Sequence, residues 1–151
     1  MKLRLLALAA SILLATTAGA QKNANLDEQK KCDAQANKVY HQSRELDGHH
    51  TEDSTGMNYY TSHFDPSLNS CYVWIRWAKM DKDGFAFANT VEDAFEGRVY
   101  ASFMWMNLNG KKAWEVKPIE CWVKPRKQEK ISCESEDDFD KLVEKNFGIG
   151  R

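Results

Sequence analysis

The sequence predicts an α+β fold, an antiparallel meander sheet of about five or six strands with an N-terminal and a C-terminal helix packed on it. Apolar residues recur at helical spacing near both ends of the chain. Between those ends, segments of strand-like composition alternate with short turns. Strands that follow one another through short turns pair with their chain neighbours, and we expect both helices on one face of that sheet.

The first helix is predicted over residues 26–44. Asn25 and Glu28 resemble a capping box at its start. The polar segment 46–56 that follows is predicted to be a loop. Apolar residues share one face of the helix, at Cys32, Ala36, Val39 and Tyr40.

Strands and turns alternate through the middle of the chain. The segments predicted as strands are 58–64, 70–78, 85–95, 98–108, 113–123 and 130–134. The turns between them are predicted at 65–69, 81–84, 96–97, 109–110 and 124–129. Asn109-Gly110 is the strongest hairpin dipeptide among them.

The second helix is predicted to begin after Ser135, whose hydroxyl suits an N-cap. Acidic residues follow in the first turn, where the helix dipole favours negative charge. Gly148 is expected to end the helix. Its apolar face consists of Phe139, Leu142, Val143 and Phe147.

Residues 1–20 have the three-part pattern of a secretory signal peptide. Lys2 and Arg4 precede the apolar run 5–15, and Ala18-Gly19-Ala20 forms a small-residue cleavage site. We expect cleavage after Ala20, leaving 21–151 as a single soluble domain in the periplasm or outside the cell. The apolar run is too short to span a bilayer, so no membrane span is expected after cleavage.

The charge balance argues against nucleic acid as a partner. The whole chain has a net charge of −1, and loss of the basic Lys2 and Arg4 lowers this to −3. Binding to phosphate backbones needs a strong basic excess or stripe.

Four cysteines in an exported domain predict two disulfides. Four cysteines allow three pairings, and a hairpin centred on Lys127 places Cys121 opposite Cys133. The remaining pair, Cys32 with Cys71, then ties the first helix to the sheet. The domain is therefore expected to have one disulfide between the first helix and the sheet and a second one within the last hairpin.

The first hairpin suggests a binding surface. If it centres on Ser67, then Tyr60, Tyr72, Trp74 and Arg76 share the face opposite Cys71. The first helix is expected to cover the Cys71 face, which leaves these four residues exposed. Tyr, Trp and Arg are the residues that protein-binding hot spots favour. The alternative is that the second helix or another sheet covers them and they belong to the core.

A soft-metal site is the second hypothesis. Met104 and Met106 flank Trp105 on a strand, so both thioethers project from one face. This pattern is similar to that of periplasmic copper and silver chaperones, which add a histidine, and His63 is the candidate here. Packing of the methionines in a core is the alternative.

The sequence lacks the G-x-S-x-G, P-loop, G-x-G-x-x-G and zincin motifs. No cofactor is therefore predicted. A non-enzymatic protein is favoured over an enzyme, and a hydrolase without a recognisable motif is the third hypothesis. Residues 59–65 and 68–73 resemble a group of small, uncharacterised exported bacterial proteins with a similar histidine-to-cysteine hairpin. That resemblance implies export and the hairpin but no activity. The leading hypothesis is a non-enzymatic binding module for an unknown protein or envelope component.

Overall fold

A computed structural model describes residues 25–43, 57–81, 84–108 and 115–150. The predicted signal peptide, the loop 46–56 and the Asn109-Gly110 turn lie outside the described residues. No helix in the described ranges is long and apolar enough to cross a membrane. The elements are α1 (25–43), β1 (Met57–Asp65), β2 (Ser70–Asp81), β3 (Gly84–Asp93), β4 (Val99–Leu108), β5 (Glu120–Val123), β6 (Ile131–Ser132) and α2 (Glu136–Phe147).

The six strands form one antiparallel sheet in the order β1-β2-β3-β4-β5-β6. Every strand therefore pairs with its neighbours in sequence, as expected of strands joined by short connections. The predicted α+β fold, a meander sheet with a helix at each end of the chain, is confirmed.

Strand β5 is shorter than predicted. The segment 113–123 was expected to be extended throughout, but β5 begins only at Glu120. Pro118 has no N–H to donate to a ladder, so regular pairing cannot run through it. Pairing with β4 starts just beyond, where the Ile119 N–H donates to the Met104 carbonyl at 2.8 Å.

The register of the first hairpin differs from the prediction by one residue. Thr61 pairs with Trp74, so the hairpin centres between Ser67 and Leu68 instead of on Ser67. The Asp65 carboxylate accepts hydrogen bonds from the backbone N–H groups of both residues and holds this turn. A slip of one residue exchanges the faces of a strand. Tyr59, and not Tyr60, therefore lies on the face of Trp74.

The two helices cover opposite faces of the sheet, and the expectation that both lie on one face is wrong. Helix α1 packs on the side of Cys71, Val73 and Ile75. Helix α2 packs on the side of Trp74 and Phe103. Strand β2 is apolar on both faces, so each face needs its own cover to be removed from water. The result is a sheet with one helix on each side.

Both predicted disulfides are present. Cys32 of α1 is joined to Cys71 of β2 with a Cα–Cα distance of 5.3 Å. Cys121 of β5 is joined to Cys133 with a Cα–Cα distance of 5.1 Å. The register between β5 and β6 pairs Val123 with Ile131, which centres the hairpin on Lys127 as predicted.

The ends of α2 follow the predicted capping chemistry. The Ser135 side chain accepts a hydrogen bond from the Asp138 N–H. Gly148 adopts the left-handed conformation at φ 65°, and its N–H bonds to the Glu144 carbonyl. Since both ends are capped, the helix holds Phe139, Val143 and Phe147 against the sheet.

Candidate functional site

The four residues predicted to form an exposed face do not form one. Trp74 and Tyr72 are each 1% exposed, and Arg76 is 7% exposed. Tyr60 lies on the other side of the sheet, where its ring contacts that of Tyr40 and its hydroxyl accepts a hydrogen bond from the Asn37 side chain. The cause is α2, which covers the Trp74 face, and burial raises the pKa of the Tyr72 phenol there.

Helix α2 covers only part of this face of the sheet, and the covered part ends at the N-terminal turn of the helix. Phe147 contacts Tyr72, and Phe139 contacts Trp74, so the helix runs with its N-terminus towards Arg76. A pocket of about 220 Å³ opens at this end of the helix. It is lined by Tyr59, Arg76, Phe85, Phe87, Asn89 and, from α2, Glu136.

Arg76 is held rigidly at this pocket. Its guanidinium carbon lies 3.5 Å from the centre of the Trp74 ring and 5.5 Å from that of Tyr59. Its Nη1 donates a hydrogen bond to the Tyr59 hydroxyl at 3.0 Å. Stacking on one ring and bonding to another fixes the plane of the guanidinium.

Three side chains on this face of β2 and β3 have a buried N–H donor without an acceptor. Arg76 Nη2, Asn89 Nδ2 and Trp74 Nε1 have no hydrogen-bond partner among the residues that the structure describes. The sheet brings them together, because Asn89 of β3 pairs with Arg76 of β2 and Trp74 is two residues away on the same face. No carboxylate in the described ranges forms an ion pair with Arg76.

Leaving these donors unpaired is costly. A buried neutral donor without an acceptor costs about 1–3 kcal/mol, and a charged one costs more. Proteins therefore almost always satisfy such groups. Two of the three side chains, Arg76 and Asn89, line the pocket, so an acceptor held there would lie beside both of them.

The walls and the mouth of the pocket are apolar. Phe85 and Phe87 of β3 contact each other with ring centres 5.9 Å apart. Tyr59, Met80 and Phe85 are large side chains that remain exposed at this end of the sheet. A few convergent polar groups within apolar walls are the usual composition of a small-molecule site.

The structure separates the residues of the proposed soft-metal site. Trp105 packs on the α2 side of the sheet, so Met104 and Met106 lie on the α1 side. His63 pairs with Tyr72 on the α2 side, and a Cβ added to Gly148 would lie 3.2 Å from its Nε2. The described residues contain no group of three or more His, Cys, Asp or Glu side chains that could hold a metal ion. A site that unites His63 with both methionines is therefore ruled out by the sheet geometry.

Sequence reasoning missed Tyr59, Asn89, Phe85 and Phe87. Tyr59 was missed because of the register slip. The other three carry a signal in the alternation of β3, where Phe85, Phe87, Asn89 and Val91 face one side. An amide in such an apolar row indicates a buried polar position that needs a partner.

No protein-family model, curated protein or solved structure matches this chain. The contacts of the pocket are therefore the basis on which its function is inferred.

Proposed function

We propose that the protein is an exported, non-enzymatic binding module that holds a small ligand in the pocket of Arg76 and Asn89. The observation that carries the proposal is Arg76, a side chain that lines the pocket and whose buried Nη2 has no acceptor among the described residues. A ligand that offers an acceptor there removes the cost of the unpaired donor and gains binding energy from it.

The alternative, that Arg76 only stabilises the fold, fits its contacts poorly. A buried guanidinium contributes to stability when carboxylates and hydrogen bonds compensate its lost hydration. Here one hydroxyl and two aromatic rings are its partners. An apolar side chain of similar length fills the same space without an unpaired donor. Retention of a costly group beside a pocket is typical of binding sites.

Two disulfides support the exported location. Structural disulfides persist in oxidising compartments and are rare in the reducing cytosol. The apolar run and the Ala18-Gly19-Ala20 site supply the matching signal in the sequence.

Export gives a prediction about the mature N-terminus. We expect protein recovered from the periplasm or medium to begin at Gln21, because cleavage follows Ala20. Intact-mass measurement of the exported protein checks this. A mass that includes Met1, with all four cysteines reduced, contradicts export and maturation together.

Replacement of Arg76 tests the binding function. Arg76→Met is expected to leave the free energy of unfolding unchanged or to raise it, since it removes an incompletely paired buried charge. The same change is expected to abolish ligand binding. Chemical denaturation measures the first effect. A screen of a fragment library by protein NMR measures the second, through shifts of the backbone amides of residues 76 and 89 in the original protein and in the variant.

The matched control is Arg98→Met, which removes an exposed arginine whose carboxylate contact is Glu96 at the surface. It should change neither stability nor fragment binding. A loss of more than about 3 kcal/mol in Arg76→Met would show that Arg76 is a structural residue. A library in which no fragment perturbs the pocket amides would reject the binding function.

A further inference from the structure

We infer that the ligand of this pocket is a single carboxylate attached to a small apolar group. This inference rests on the proposed function, that the pocket holds a ligand, and adds the chemical class. It follows from the charge of the lining, the kind of donors and the nature of the walls.

The charge of the lining selects a group with one negative charge. Arg76 supplies one positive charge, and Glu136 at the same pocket supplies one carboxylate. The guanidinium neutralises one negative charge, and Arg76 is the one basic residue among those that line the pocket, so the second charge of a dianion such as a phosphate ester would be desolvated without a cation beside it.

The donors select a group that only accepts hydrogen bonds. Arg76 and Asn89 line the pocket, and Arg76 Nη2 and Asn89 Nδ2 each carry two N–H groups that have no acceptor among the described residues. A carboxylate has two oxygens with about four lone-pair sites, so it can accept from both side chains. A neutral carbonyl has one oxygen and a weaker bond to the guanidinium. Planar carboxylates also match the fork of a guanidinium better than other acceptors do.

The walls and size select the rest of the ligand. Ala78, Phe85 and Phe87 offer apolar surface beside the donors. A pocket of about 220 Å³ lies below the range of about 300–1,000 Å³ typical of drug-sized ligands. It therefore suits a short aliphatic or aromatic acid. The apolar C-terminal residue of a peptide presents the same chemistry.

Tyr59 is the side chain that controls access. The three donor atoms are buried, while Tyr59 is 49% exposed and contacts the guanidinium through both its ring and its hydroxyl. A turn of this one exposed side chain opens the guanidinium to the pocket. Binding therefore exchanges the bond to Tyr59 for stronger, charge-assisted bonds to the carboxylate.

The experiment compares probes that differ only in the head group. Phenylacetate, phenylacetamide and benzylphosphonate are titrated into the disulfide-bonded protein and followed by NMR and calorimetry. We expect phenylacetate to bind at least about 10-fold more tightly than phenylacetamide, because a charge-assisted pair exceeds a neutral hydrogen bond by about that factor. Benzylphosphonate should also bind more weakly than phenylacetate, because its second charge has no cation among the residues that line the pocket. Arg76→Met and Asn89→Leu should each weaken phenylacetate at least about 10-fold, and Arg98→Met should not.

Two further probes separate the sources of the carboxylate. N-acetylphenylalanine and its amide imitate a chain terminus with and without the charge. Preference for phenylacetate indicates a free acid, and preference for N-acetylphenylalanine indicates the carboxyl terminus of a peptide. Either preference, with the amide weaker, supports the inference.

The results that would overturn the carboxylate inference differ from those that would overturn the binding function. If phenylacetamide or benzylphosphonate binds in the pocket as tightly as phenylacetate, the carboxylate inference is overturned while the binding function stands. If library fragments bind there but no carboxylate does, the result is the same. If neither fragments nor probes perturb the pocket amides, both are overturned.

Discussion

Trp74→Ala is expected to lower the free energy of unfolding by about 3–5 kcal/mol, the usual cost of truncating a buried aromatic side chain. The Trp74 ring is 1% exposed and lies between Phe139 of α2, with ring centres 6.1 Å apart, and the Arg76 guanidinium. Its loss leaves a cavity under the first turn of α2. Chemical denaturation of the disulfide-bonded protein measures the effect.

Phe95→Ala is the control for this experiment. Phe95 is 64% exposed in the turn after β3, so its truncation is expected to change stability by less than about 0.5 kcal/mol. A loss below about 1 kcal/mol in Trp74→Ala would mean that α2 does not cover this face. The tryptophan would then be available to a partner, as the exposed-face hypothesis required.

The order of elements could be predicted because each depends on local signals. The capping residues Ser135 and Gly148 bound α2 as expected. The hairpin centred on Lys127 was also predictable, since two cysteines must lie opposite each other to be bridged. Such constraints act within a few residues and need no knowledge of the tertiary packing.

The register of the first hairpin could not be predicted in the same way. Tyr59 and Tyr60 are adjacent, so either can face the core, and alternation alone does not choose between them. The choice depends on the turn, in which Asp65 accepts bonds from two backbone N–H groups and Asn69 adopts a positive φ of 47°. Because the predicted register was wrong by one residue, the predicted site contained Tyr60 where the structure has Tyr59.

The site itself was predictable only in part. Trp74 and Arg76 were correctly placed on one face of β2. Their burial could not be deduced, because it depends on which face α2 covers. Asn89 comes from β3 and meets Arg76 only through the pairing of the two strands. The residues that line this pocket are therefore determined by contacts between separate elements more than by the elements themselves.

Loss of the Cys32–Cys71 disulfide is expected to have the other large effect. The double variant Cys32→Ala/Cys71→Ala should lose about 4 kcal/mol, because the bridge spans a sequence separation of 39 residues and restricts the unfolded chain accordingly. The buried position of both cysteines beside Ala36 and Val73 adds to the loss through packing. Denaturant titration under non-reducing conditions gives the value.

The second bridge provides an internal comparison. Cys121→Ala/Cys133→Ala removes a bridge with a sequence separation of only 12, so the same chain-entropy reasoning gives about 3 kcal/mol. The Cys32–Cys71 bridge joins α1 to one face of the sheet, and the Cys121–Cys133 bridge packs with the core on the α2 side, so the two losses should add when all four cysteines are replaced. If the shorter bridge proves the more stabilising, restriction of the unfolded chain is not the main source of the stability that the bridges provide. Anchoring of β6, and through it the start of α2, would then be the larger contribution of the Cys121–Cys133 bridge.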